Sequence, residues 1–191
     1  MERAMIFVDG NNFYHAAKNL LRQPPKLDMS KLVKVISQKD PNRFLLRTYY
    51  YTVDEPAQQG LVSYLRSQPR FIVNNNGYIK KKSIPGKIFD ENDPSTYVKQ
   101  EKGTDVNLAT DLLIGAYMNS YDTAIILSAD GDYIGPIKEI RKIGKIVELV
   151  VAKGQPISKK LSDVADSIIE IEKSDLTSCW NGTYNEATIT T

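Results

Sequence analysis

Apolar positions along the chain alternate between two rhythms. Short runs rich in β-branched and aromatic residues occupy 4–8, 44–52, 71–74, 124–127, 145–151 and 167–170. Each run is closed by charged or turn residues, as strands are. Longer stretches between them carry helical spacing. Residues 29–37 put Leu32, Val33 and Ile36 on one face, and 58–68 do the same with Leu61, Val62 and Leu65. Residues 105–119 carry Val106, Ala109, Leu113 and Ala116, and 133–143 carry Ile134, Ile137 and Ile140, at steps of three and four. Strand alternating with helix, with nearly continuous apolar runs at 124–127 and 146–151, predicts an α/β domain over residues 1–173. Its sheet should be parallel and covered by helices on both faces. Such sheets bind ligands outside the carboxyl ends of their strands.

Two segments leave this rhythm. Residues 75–101 are polar and basic, with Lys80, Lys81, Lys82, Lys87 and Lys99 set around Tyr78, Phe89 and Tyr97. Pro85-Gly86 marks a turn there, which predicts an inserted hairpin followed by a mobile loop. Residues 174–191, rich in Thr, Ser and Asn without a period, read as a flexible tail.

Composition narrows the classes. At 191 residues the chain is long enough for one full core. Its 25 Lys+Arg against 23 Asp+Glu leave a net charge of +2, so a nucleic-acid partner must be met by a local basic patch. The single cysteine, Cys179, excludes an internal disulfide and a Cys-rich zinc site, and suits a reducing compartment. The first residues are unlike a signal peptide, and no run approaches the roughly 20 apolar residues that span a bilayer. A cytoplasmic protein without a membrane partner is expected.

The chemistry lies in three acidic junctions. The first apolar run ends in Asp9-Gly10-Asn11-Asn12, placing an acid at the rim of the sheet with two amides behind it. Asp9 alone reads equally well as a helix cap. Ser128-Ala129-Asp130-Gly131-Asp132 follows the run at 124–127. A helix start welcomes one acid; two acids separated by a glycine repel each other unless a cation lies between them. Lys102-Gly103-Thr104-Asp105 opens the longest helical stretch, and Asp111, six residues on, points away from Asp105. A later strand beside the first would bring Asp130 next to Asp9. Oxygen-only ligands suit Mg²⁺ or Mn²⁺ rather than zinc.

The runs IFVDGNNFYHA, KGTDVNLATDLLIGAYMNSYDTAIILSADGDY and IRKIGKIVELV resemble the NYN-domain family, its LabA-like branch in particular, within the PIN-like nuclease superfamily. The resemblance runs from about Met5 to Glu170. It implies a Rossmann-like parallel sheet, one groove for Mg²⁺ or Mn²⁺, and phosphodiester hydrolysis, usually of RNA. By position it makes Asp9, Asp105, Asp130 and Asp132 the acids of the site, with Asn11, Ser128 and Lys102 as companions. Segment 75–101 does not align with the family, and the tail after Ser174 matches nothing in it.

The expected function is therefore metal-dependent RNA cleavage. Asp9, Asp105 and Asp130 are assigned as ligands, and Asp132 as ligand or base. Asn11, Asn12, Ser128 and Lys102 are expected to support the site or touch substrate. Lys80, Lys81 and Lys82, with Tyr78, read either as a track for a nucleic-acid backbone or as a solvated hairpin edge. His15 reads as a polar helix-face residue. Tyr49-Tyr50-Tyr51 reads as strand and core, with one ring able to face the groove. Two other readings stay open: a non-catalytic module binding RNA or protein, and a metal-dependent phosphatase. The latter usually wants an Asp at position 11, which is Asn here. An exposed helix or the hairpin leaves room for a homodimer.

Overall fold

The computed structural model describes residues 1–186. In chain order it contains β1 (Glu2–Asp9), α1 (Gly10–Leu21), α2 (Met29–Ser37), β2 (Arg43–Val53), α3 (Gln59–Ser67), β3 (Phe71–Ser83) and β4 (Tyr97–Lys102). Then follow α4 (Thr104–Tyr117), β5 (Thr123–Leu127), α5 (Ile134–Lys142), β6 (Ile146–Ala152), α6 (Lys159–Ser162), β7 (Ser167–Ile171) and α7 (Lys173–Ser178). The strands form one sheet in the order β4-β3-β2-β1-β5-β6-β7. All neighbours are parallel except β3 and β4. This is the expected α/β architecture, a mostly parallel sheet with helices on both faces.

Side-chain alternation divides β1 between two cores. Ala4, Ile6 and Val8 pack with Leu32, Ile36 and Leu65 of α2 and α3. Met5 and Phe7 pack with Leu108 and Leu112 of α4 and Ile137 and Ile140 of α5. Asp9 shares the parity of Phe7, so it leaves the strand on the α4–α5 side. In β5, Ala124 and Ile126 belong to that same core, which gives Ser128 the same facing. The pairing of Val8 with Leu127 sets these two strand exits side by side. The sheet order reverses at β1, so this is the crevice where open α/β sheets take ligands.

The two segments outside the rhythm are more ordered than expected. Residues 75–83 extend β3, and 97–102 return antiparallel to it as an edge strand. The connection is not a loose loop: Thr96 Oγ1 accepts from the Asp90 amide at 3.0 Å, and the Asp93 carboxylate accepts from the Ser95 amide at 2.9 Å. The expected tail needs a larger correction. Residues 173–178 form α7, Leu176 and Cys179 are buried, and Trp180 pairs with Leu27 in an isolated β-bridge. A six-residue helix is too short to show a period, which is why the sequence hid it. Only 187–191 of the expected tail lie outside the described residues.

Candidate metal centre

Asp9 ends β1 and caps α1: its Oδ1 accepts from the Asn12 amide at 3.0 Å. Gly10 is required between them, because a Cβ there would lie 2.6 Å from the Tyr51 carbonyl oxygen. The other Asp9 oxygen, Oδ2, accepts from the hydroxyls of Ser128 and Tyr133, each at 3.1 Å. Ser128 Oγ in turn accepts from the Asp130 amide at 3.1 Å, so one hydroxyl ties both strand exits together. Asn12 Oδ1 adds a second tie, accepting from the Ala129 amide at 3.2 Å and from Gln155 Nε2 at 3.1 Å.

Asp105 sits in the first turn of α4, where the helix dipole favours an acid. The Tyr133 hydroxyl, 3.0 Å from Asp105 Oδ1, bridges it to Asp9. One phenolic proton cannot serve two ionised carboxylates at once. Burial, reinforced by the charge of Asp105, pushes the Asp9 carboxyl above its ordinary value despite its three donors. Burial and the same two acids push the Tyr133 phenol far upward, so it stays a donor.

Asp130 opens a 3₁₀ turn, Gly131–Tyr133, and its Oδ1 accepts from the Asp132 amide at 2.9 Å. This short turn folds Asp132 back beside Asp130. Asp105, Asp130 and Asp132 each bring an oxygen within 4.8 Å of the others. None of the three forms an ion pair with a lysine or arginine among the described residues; nearby Lys99 instead pairs with Glu55 at 2.9 Å. Asp9 lies behind this trio, joined to it through Tyr133 and Ser128. Asp9, Asp105 and Asp130 line a cleft of about 660 Å³ shared with Asn11, His15 and Lys102, while Asp132 stands exposed outside that lining.

The remaining expected residues fall elsewhere. Asp111 lies outside the cleft, where the Tyr51 hydroxyl donates to it at 2.9 Å. Lys80, Lys81 and Lys82 do not line the cleft; Lys81 pairs with Glu91 at 2.8 Å and lies over the Tyr97 ring. The lysines facing the acids are Lys99 and Lys102 of β4. Sequence reasoning missed Tyr133, whose position directly after SADGD was the available signal. It also missed Glu101, which lines the cleft from β4. One oxygen of Glu101, Oε2, is enclosed without a hydrogen-bond partner. Burial, then the charges of Asp9, Glu55 and Asp105, push its carboxyl up to about 7.

Comparisons with known proteins agree with this architecture. A protein of unknown function from Vibrio parahaemolyticus has a similar fold, with a TM-score of 0.64 and 23% identity over 90% of this chain and 94% of that one. A microbiome-derived acarbose kinase aligns at a TM-score of 0.37 and 5% identity over 93% of this chain and 65% of that one, too distant to bear on the fold. No curated protein matches. The model of the NYN domain matches residues 3–172, which span every strand and the whole acidic cleft, and the chain belongs to the NYN domain family, with its PIN-like nuclease fold.

Proposed function

We propose that the chain is a divalent-metal-dependent ribonuclease of the LabA-like branch, working in the cytoplasm. The observation that carries this reading is the convergence of Asp105, Asp130 and Asp132 without a cationic side chain to neutralise them. The donor set fits Mg²⁺ or Mn²⁺, since every available atom is a carboxylate oxygen. Asp105, Asp130 and Asp132 would hold the ion, with Asp9 behind them directly or through water. When bound, the ion neutralises phosphodiester charge and makes a neighbouring water more acidic. Asp132, exposed and free of side-chain hydrogen bonds among the described residues, would act either as the third ligand or as the base for the attacking water. Lys102 and Lys99 draw the anionic backbone toward the acids. Ser128 and Tyr133 hold Asp9, Asn12 ties the rim to Ala129 and Gln155, and Asn11 would meet the phosphate there.

The test is incubation with labelled single-stranded RNA, duplex RNA, DNA and a phosphomonoester, in Mn²⁺, Mg²⁺ or EDTA. RNA should shorten only with metal, and Asp130→Asn should abolish it. Phosphomonoester turnover with intact RNA would replace this reading with a phosphatase. RNA binding without cleavage in either metal would replace it with a non-catalytic module. Thermal melting gives an independent readout: metal at 100 times its Kd should stabilise the fold by about 2.7 kcal/mol, and Asp130→Asn should lose that gain.

A further inference from the structure

A second groove, of about 630 Å³, lies on the other side of the β1 exit. It is continuous with the acidic cleft, because Asn11, His15 and Glu101 line both. Tyr14, Pro25, Leu27 and Leu61 give it an apolar side, and Asn11, Thr52 and Gln58 make the rest of its lining polar. The Tyr14 ring is 40% exposed and stands edge-on to His15. At the inner end sits Tyr50, only 7% exposed, whose hydroxyl has no hydrogen-bond partner among the described residues. The enclosed Oε2 of Glu101 is likewise unpartnered. The enclosed carboxylate oxygen is costly unless something completes it, and the Tyr50 hydroxyl beside it is free to bond a ligand. The outer rim carries Lys26 and Asn181, joined by a 2.7 Å bond from the Asn181 amide to the Lys26 carbonyl.

We infer that this groove holds the unpaired nucleobase of a nucleotide flanking the scissile phosphate, an inference that rests on the phosphodiesterase reading of the adjoining cleft. A base has flat apolar faces and a polar edge. The groove offers an aromatic and aliphatic slot, a phenol to donate and a carboxylate to accept at its closed end, and a lysine at its mouth. A purely apolar ligand would leave Tyr50 and Glu101 unpaired, which argues against a lipid chain. A base inside a duplex has its edge engaged and its faces stacked, so the substrate must be single-stranded at this position.

The test is anisotropy of labelled single-stranded RNA and of the same strand in a duplex, with Leu61→Trp to fill the slot and Tyr50→Phe to remove only the donor. Leu61→Trp should weaken single-strand binding by about tenfold, and Tyr50→Phe by a smaller factor, with duplex binding unchanged. Leu61→Met should bind as the parent does. Both Leu61→Trp and Tyr50→Phe should keep the Mn²⁺-dependent rise in melting temperature, which reports the acidic cleft separately. Parental affinity in both variants, a parental preference for duplex, or no binding of either strand would overturn the base pocket. Loss of the Mn²⁺ effect in the parent would overturn the metal reading and leave the binding comparison to decide the groove.

Discussion

Replacing Glu101 by glutamine should stabilise the metal-free protein in mild base and leave it unchanged in acid. The side chain projects from β4 into the acidic cleft with Oε2 enclosed and unbonded. Burial first, then Asp9, Glu55 and Asp105, raise its pKa from 4.5 to about 7. The folded chain therefore holds this proton more tightly than the unfolded chain. Stability falls as pH rises through the interval from 4.5 to about 7, and the penalty is full above it. That interval corresponds to about 3 kcal/mol at about 1.4 kcal/mol for each pH unit. Glu101 is only half-buried, so water screens the penalty to about 1–2 kcal/mol. For a domain of this size Glu101→Gln should then melt about 3–6 °C higher than the parent in EDTA at about pH 8. The two should coincide at about pH 4, where the parent carboxyl is protonated. Adding Mn²⁺ should narrow the gap, because a cation among the acids relieves the repulsion on Glu101. Scanning calorimetry across this pH range decides the matter. Equal melting in base, or a gap as wide in acid, would refute the argument.

Other substitutions probe the scaffold beneath the site. Tyr133→Phe removes the hydroxyl that bridges Asp9 and Asp105, and should cost about 2 kcal/mol by urea unfolding at neutral pH; an unchanged midpoint would mean the bridge carries no weight. Arg43, with its side chain 3% exposed, pairs with Glu148 at 2.8 Å and with Glu2 at 3.2 Å. Arg43→Met should lose about 3–5 kcal/mol by stranding those carboxylates, and adding Glu148→Met should recover part of the loss. Trp180→Ala should cost about 3–5 kcal/mol if residues after α7 belong to the core; a loss below about 1 kcal/mol would return them to a dispensable tail.

How far the sequence could be read depended on burial. β1 and β5 announce themselves because both of their faces are covered, so each is a continuous apolar run ending where the acids begin. α5 shows its spacing through Ile137 and Ile140. In α4 the buried face is Leu108, Leu112 and Ala116, not the expected face led by Val106, which is 67% exposed, because apolar residues on several sides of the helix blur its period. β4 does not announce itself, because YVKQEK is an edge strand with one wet side and a polar cleft on the other. Glu101 was hidden with it. α7 and Trp180 were hidden by brevity, since their burial depends on Leu27 across the chain rather than on a local period. The acids were legible as three junctions, and the neighbouring of Asp9 and Asp130 was too, but how Asp105 and Asp132 close on Asp130 was not. That geometry depends on the 3₁₀ turn at Gly131–Tyr133 and on the Tyr133 hydroxyl.

The four acids do not carry equal structural duty. Asp9 begins a helix and receives two hydroxyls, Asp130 starts a turn, and Asp105 holds a tyrosine. Under the proposed nuclease reading, a relative without catalysis would still need these carboxylates to keep its shape, so their presence says little about whether it cuts anything. Asp132 supports no neighbour through its side chain among the described residues. Drift should erase it first once selection for chemistry lapses, which makes that position the one to inspect when sorting working enzymes from retired ones.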